Sequence, residues 1–503
     1  MHINNAKHPF SLFPTTLNYF ILFISLLFLT IYSVVYYFWG ERIPVGNGYG
    51  WDGLVYAAYV QHFWLYISQT HDIYHVNRIL PSFIIYLALK ILHLSMDSSV
   101  IVVNAFIIFN SVLFILSAYL WFGICRVKQF KVTTYWLGYI SLFINFLYLK
   151  HNFYDPVLTD TAAIFLGMLS LYFYVKKNYL LLALTIVPSY FTWPISILLL
   201  CPLILFPQKL NPSSAITLFE RSFAFSMTLI FVSICVYLTY IVGNERIISN
   251  GVKIYYPLLP FSIFIAAYFI YSVLINSRCA NNIHTLFKLN YRNAGYLIFS
   301  CAITYILFHW LAHHLPNYAT AQPLFTVQDL LTVSVLGAIA KPGLFFISHL
   351  AFWGPVVVLM MWYLKDMAQQ VGQNSVGLML FMLLTLVLAL NSQTRQCDFN
   401  FPFIIYLLCC VMNNKIITRQ SIGYFLIAGL IVSKVYYHIN NTPLTGSILD
   451  FPYQRFMMNS GTYMNWGGYF VNISLFIIAI LLCYKAKLLP QPQAKDRIIY
   501  AQQ

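Results

Sequence analysis

Charge is what this chain has least of. Only 8% of its 503 residues are Asp, Glu, Lys or Arg, where a soluble domain carries about 25%. With 60% apolar residues and a mean hydropathy of +0.74, that scarcity excludes an ordinary soluble enzyme. Acid is scarcer than base, 13 residues against 28. The excess of base does not point to nucleic acid, because it comes in short clusters between apolar runs, the arrangement by which Lys and Arg fix membrane topology. Cysteine motifs are missing: the nine Cys form no C-x-x-C, and most sit inside apolar runs as small hydrophobes. A zinc set is missing too. His309, His313 and His314, like His62, His71 and His75, have neither an H-E-x-x-H frame nor Cys partners. No linker, low-complexity tract or internal repeat marks off a soluble domain, so residues 1–503 read as a single polytopic transmembrane domain.

What is present is a series of apolar runs. Leu17 to Phe38 is too long for a signal-peptide core and no small-residue cleavage site follows. It reads as a first transmembrane helix with a cytoplasmic N-terminus. Clusters at Arg126–Lys131, Lys176–Lys177, Lys209–Arg221, Arg278–Arg292, Lys365, Lys415–Arg419 and Lys485–Lys487 are placed on the cytoplasmic side. That requires residues 79–94, too short to cross, to lie on the outer surface, with Pro81 in the first turn where a helix accepts proline. Residues 40–98 become a long external loop with surface helices. The second span follows at Ile101–Phe122, the third at 133–149 and the fourth at 161–175. Residues 179–206 hold "VPSYFTWP", whose two prolines predict a broken helix pair. The remaining external loops are 243–258, 313–342, 391–400 and 439–467. The expectation is an all-α membrane protein of about 11–13 transmembrane helices.

In such a chain the few polar residues beside the bilayer carry the functional information. Asp52 stands in "GYGWDGLVYAAYV", just after the first span, and Asp155 and Asp160 stand in "HNFYDPVLTD", after the third. A partly desolvated carboxylate there can serve as general base. Asp160 is also placed to cap the next helix. Asp72, Glu245, Asp329, Asp398 and Asp450 are further acids of the external loops. Arg78, in "YHVNRILP", and Arg395, in "NSQTRQCDFNFPF", are external cations against the positive-inside trend, and suit a phosphate at headgroup level. Trp51, Tyr56 and Trp193 are candidates for stacking on sugar faces.

The order of these features resembles the GT-C superfamily of membrane glycosyltransferases: a first span, an external loop with an Asp close behind it, surface helices, two spans, and a second acidic loop. "GYGWDGLVYAAYV" looks like the first acidic motif of that superfamily. The segment from "NRILPSFIIYLALKILHL" onward is similar to the surface-helix region of the aminoarabinose and dolichyl-phosphate-mannose-using transferases. "PVLTDTAAIFLGML" resembles their motif after span three. The likeness covers residues 17–206. This chain departs from the pattern where Gly53, not a second acid, follows Asp52.

The resemblance implies transfer of a sugar from a polyprenyl-phosphate donor to a glycan, lipid or protein acceptor on the external, periplasmic face, with inversion. Asp52 would be the base, Arg78 and Arg395 would bind the donor phosphate, and Asp155 or Asp160 would orient the acceptor or a divalent metal. No cofactor is required by the sequence. The bilayer is a partner and nucleic acid is not. The absence of an endoplasmic-reticulum retrieval signal favours a bacterial inner membrane. The same composition also suits a flippase or transporter of lipid-linked saccharide, a polysaccharide polymerase or ligase, or an inactive scaffold.

Overall fold

The computed structural model describes residues 15–70, 73–209, 216–242, 252–278, 280, 288–315, 327–444, 447, 451 and 461–490. His71, Asp72, Glu245 and Asp450 lie outside the described residues. Among those described the chain is helical, with no strand. The physical reason is that hydrocarbon offers backbone groups no partner, so each segment must satisfy its own hydrogen bonds.

Six described helices are long and apolar enough to cross a membrane: Tyr19–Trp39, Ser99–Lys128, Leu218–Val242, Tyr256–Asn276, Tyr291–Ala312 and Trp466–Lys485. A seventh crossing results if Val132–Phe143 and Leu147–Tyr154, bent by 46°, form one broken span. Asn145 stabilises the bend. Its amide donates to Ser141 and Leu142 carbonyls and its oxygen accepts from the Tyr148 N–H. The larger number of spans expected counted several short apolar runs, such as 161–175, as crossings. Eight of the apolar helices have only 10–17 residues, and a 12-residue helix rises about 18 Å against a core of about 30 Å. Their runs are cut by turns such as Gly354–Pro355, which parts Leu344–Trp353 from Val356–Trp362.

The surface-helix segment forms a 12-residue helix, Leu80–Ile91, with proline in its first turn. Residues 179–206 form short helices on either side of a break at 191–195, which holds Trp193 and Pro194. Asp160 does not cap its helix. Thr159 occupies the cap position, no side-chain cap bond is made, and Asp160 is the first helical residue, aimed at Arg395.

The two ends of the bundle differ in charge. One end gathers the basic clusters: Lys131 N–H donates to Asn413 across 2.8 Å, Lys415 pairs with Asp366, and Lys485 lies over Tyr424. The other end gathers loops far apart in sequence. Ile43 N–H donates to the Tyr154 carbonyl (2.8 Å), Leu80 N–H to Phe191 (2.9 Å), and Gly461 N–H to Ser392 (2.8 Å). A buried Glu41–Lys150 ion pair clasps this end. Glu41 also accepts from the N–H groups of Ile439 and Asn440, and Lys150 donates to the Tyr437 carbonyl.

Candidate active site: a recess lined by two arginines and four aspartates

At the loop-rich end, the first loop folds back onto the 155–160 turn because of a glycine. Gly50 has φ +77°, a conformation open to Gly, and a Cβ on it would lie 2.6 Å from Asp155 Oδ1. Trp51 then turns the chain and Asp52 opens the helix Asp52–Gln61. Asp52 Oδ2 accepts from Arg395 Nη2 at 3.1 Å, and Arg395 Nε lies 3.6 Å from Asp160 Oδ1. The guanidinium of one loop thus ties the acids of two others. A second glycine lets this happen: a Cβ on Gly167 would stand 2.2 Å from the Phe399 carbonyl oxygen, so the helix Asp160–Val175 lies directly on the loop that carries Arg395 and Asp398.

The four carboxylates do not behave alike. Asp52 is 41% exposed, at the mouth, while Asp160 is buried. The enclosing walls push the Asp52 carboxyl upward, but Arg395, His75 and Arg78 outweigh them and hold it below the ordinary range. Asp52 is therefore ionised at neutral pH. The expected gain in base strength from desolvation is overridden by these cations. Asp155 is buried, and burial, with Asp160 and Asp52 nearby, pushes it up to about 8 against the attraction of Arg395. Burial and Asp160 likewise raise Asp398 well above the carboxylate range. Neighbouring acids driven apart in this way can take different proton states in one reaction.

Arg78 is held differently. Its guanidinium lies between the rings of Tyr74 (4.3 Å) and Trp193 (4.5 Å). It is 93% buried, as its 7% exposure states, and its Nε and Nη1 have no hydrogen-bond partner among the described residues. No described carboxylate lies within ion-pair distance. Stacking is favourable for a guanidinium, but buried N–H groups without acceptors cost free energy. The arrangement is complete when an anion accepts from them. Arg395, by contrast, already has its carboxylates.

Of the residues singled out in the sequence, Asp52, Asp155, Asp160, Arg78, Arg395, Tyr56 and Trp193 come together in this recess, and Trp51 stands at its rim against Phe451. The rings correct an expectation. Tyr56 and Trp193 are fully buried, and a face of Trp193 is taken by Arg78, so only Trp51 offers an accessible ring. Among the described residues no three His, Cys, Asp or Glu side chains converge as a metal-binding group, and Asp52 and Asp160 are turned to a guanidinium. Sequence reasoning did not assign a role to Asp398, Tyr74, His75 or Trp353. The usable signal for Asp398 was its spacing: it lies three residues after Arg395, one turn on, and its N–H donates to the Arg395 carbonyl at 3.1 Å.

The short helices also leave an apolar cleft, lined by Phe269, Phe345, Met360, Met382, Leu386 and Trp353. The Trp353 ring stacks on Phe401 (4.6 Å), three residues after Asp398, so the cleft lies beside the loop that carries Arg395 and Asp398.

The chain matches no protein-family model, no curated protein and no solved structure.

Proposed function

We propose that the chain is an integral-membrane glycosyltransferase of the GT-C kind, moving a sugar from a polyprenyl-phosphate donor to an acceptor hydroxyl at the loop-rich face. The observation that carries this reading is the division of labour between the two arginines. Arg395 is spent on Asp52 and Asp160, whereas Arg78 is buried, stacked and without a carboxylate at ion-pair distance among the described residues. A base and an anion holder therefore share one recess, beside an apolar cleft suited to an isoprenoid chain.

In the reaction, the acceptor oxygen attacks the anomeric carbon and its proton passes to Asp52. The bond from that carbon to the phosphate oxygen breaks with the electron pair leaving on the phosphate. Arg78 donates to the departing lipid phosphate and offsets its charge. A single displacement inverts the anomeric centre. Arg395 fixes Asp52 rather than binding the donor. By the positive-inside trend the basic end faces the cytoplasm and the recess the outside, in a bacterial inner membrane the periplasm.

The test is transfer of radiolabelled sugar in proteoliposomes from a panel of polyprenyl-phosphate donors, wild type beside Asp52→Asn. Water-soluble label from wild type only supports the reading. Undiminished transfer by Asp52→Asn would remove Asp52 as base. Label that crosses the bilayer still on its lipid, equally with both proteins, would establish a flippase instead.

A further inference from the structure

The last turn of the helix Tyr291–Ala312, with the residue after it, reads His309-Trp310-Leu311-Ala312-His313. The reaction above makes no use of it. The helix begins in the basic cluster of Lys288 and Arg292 and ends at the loop-rich face, where Trp310 meets Trp64 of the first loop (5.8 Å, 89°). Residues four apart share one face of a helix. Here they also converge: His309 Nε2 and His313 Nε2 lie 3.1 Å apart. Both residues are exposed. The Tyr305 ring, one turn earlier, stacks on His309 (5.7 Å, 6°) and sets its plane.

That separation is the one a shared ion requires. Two imidazole nitrogens, each about 2.0–2.1 Å from one ion, stand about 2.9 Å apart at a right angle and about 3.3 Å apart at the tetrahedral angle. Two N–H groups cannot face each other so closely, so at least one Nε2 presents a lone pair. A metal takes both lone pairs at once. No third His, Cys, Asp or Glu among the described residues joins the two. His314 is directed elsewhere: its Nδ1 lies 2.9 Å from the Trp310 carbonyl oxygen, and its ring leans on Trp64 (5.8 Å, 48°). Trp310 stands where an H-E-x-x-H site keeps its glutamate base, so the pair lacks the means to hydrolyse.

We propose that His309 and His313 form a two-histidine clamp for a transition-metal ion on the loop-rich face. Imidazole ligands favour Cu2+, then Ni2+ or Zn2+, over Mg2+ and Ca2+, which take oxygen. The remaining positions on the ion are open to water or to an incoming ligand. A bound ion joins two successive turns and steadies the helix end that holds Trp310 against Trp64. The clamp is distinct from the arginine–aspartate recess and does not depend on the transferase reading.

Metal binding by the full chain in nanodiscs, without a histidine tag and stripped with a chelator, tests it. In competition with a fluorescent chelator, wild type should bind one equivalent of Zn2+ that His309→Ala and His313→Ala each weaken by more than about tenfold, the least that loss of a ligand's outer partner costs. His314→Ala should bind as wild type does. The three side chains are exposed and alanine favours helix, so melting without metal should be unchanged in all three variants. With one equivalent of Cu2+, the electron paramagnetic resonance spectrum should show coupling to two nitrogens, reduced in His313→Ala. Equal Zn2+ binding by wild type and by the variant with both substitutions would overturn the proposal and leave the contact a hydrogen bond between imidazoles. An equal loss in His314→Ala would overturn it too, because the binding would then belong to no particular pair. Sugar transfer, present or absent, does not enter these readouts.

Discussion

Asp155 makes the sharpest prediction from the proton states of the recess. Burial, with Asp160 and Asp52 close by, brings its carboxyl group up to about 8 from an ordinary 3.8. At 1.36 kcal/mol per unit, the ionised form is disfavoured by about 5–6 kcal/mol relative to water. The sign follows from proton counting. Between about pH 4 and pH 8 the folded chain keeps a proton that the unfolded chain has released, so folding weakens as pH rises through that window. The group is nearly inaccessible, so little solvent screening reduces the effect. At pH 7 it costs about 4 kcal/mol of stability relative to pH 4. Asp155→Asn mimics the neutral acid and removes that slope, so the variant should melt above wild type at pH 7–8, by less at pH 5. Transfer should show the same titration. The working state has Asp52 ionised and Asp155 protonated, so wild-type rate falls as pH rises through about 8, and the alkaline limb disappears in Asp155→Asn. Melting curves in detergent and initial rates from pH 5 to 9 would check both. A variant inactive at every pH, beside a wild type flat through pH 8, would refute the reasoning: Asp155 would then be working as an anion.

Three further substitutions separate the parts of the site. Arg78→Lys keeps the charge but loses the planar face between Tyr74 and Trp193 and the fork of N–H groups. Donor KM should rise about tenfold, for about 1–2 kcal/mol of lost stacking and geometry; an unchanged KM would dissociate Arg78 from the donor. Gly167→Ala drives a methyl group into the Phe399 carbonyl. The helix must back away at a cost of about 1–3 kcal/mol, seen as a lower melting temperature together with loss of transfer. Glu41→Gln leaves Lys150 as a buried cation without its partner and should cost about 3–5 kcal/mol, with unfolding in detergent at a lower temperature as the measurement.

How much of this was legible in the chain depends on the scale. Scarcity of charge led to the bundle and also to the site, because an ionisable group beside a bilayer is expensive and is kept where it has work or a partner. Asp52, Arg78 and Arg395 were found that way, the last hundreds of residues from the other two. What could not be read was who pairs with whom. Nothing in "HVNRILP" or "SQTRQCDF" tells that Arg395 would meet two acids and Arg78 none among the described residues. That depends on two close approaches, Gly50 on Asp155 and Gly167 on Phe399, each a contact between distant segments. Helix length was misread for a related reason. Apolarity reports a nonpolar environment, and a short helix surrounded by other helices is as apolar as one that crosses lipid. The bend at Asn145 appears in sequence only as a single polar residue, whereas the two prolines of "VPSYFTWP" marked the break at 191–195.

The proton states also resolve a difficulty in the charge of the recess. Four aspartates facing two arginines would leave it net negative if all were ionised, and a lipid phosphate would be repelled from the group meant to bind it. With Asp155 and Asp398 neutral, the negative charge of the recess no longer exceeds the positive charge of Arg395 and Arg78. The match is uneven in space. Arg395 lies within ion-pair distance of both acids, and Arg78 of neither. Arg395 is offset at least by the ionised Asp52, while Arg78 has no described carboxylate at ion-pair distance, so the pocket of Arg78 is the more positive side of the recess. An arriving phosphate is drawn to the Tyr74–Trp193 sandwich and kept from Asp52, while an acceptor hydroxyl, uncharged, is free to approach Asp52. Ionising either neutral acid adds a charge that the arginines do not offset. It would weaken the anion site and distort the base together. This is why an acid-rich recess needs neutral members to work on an anionic donor, and why Asp155 and Asp398 should tolerate asparagine where Asp52 does not.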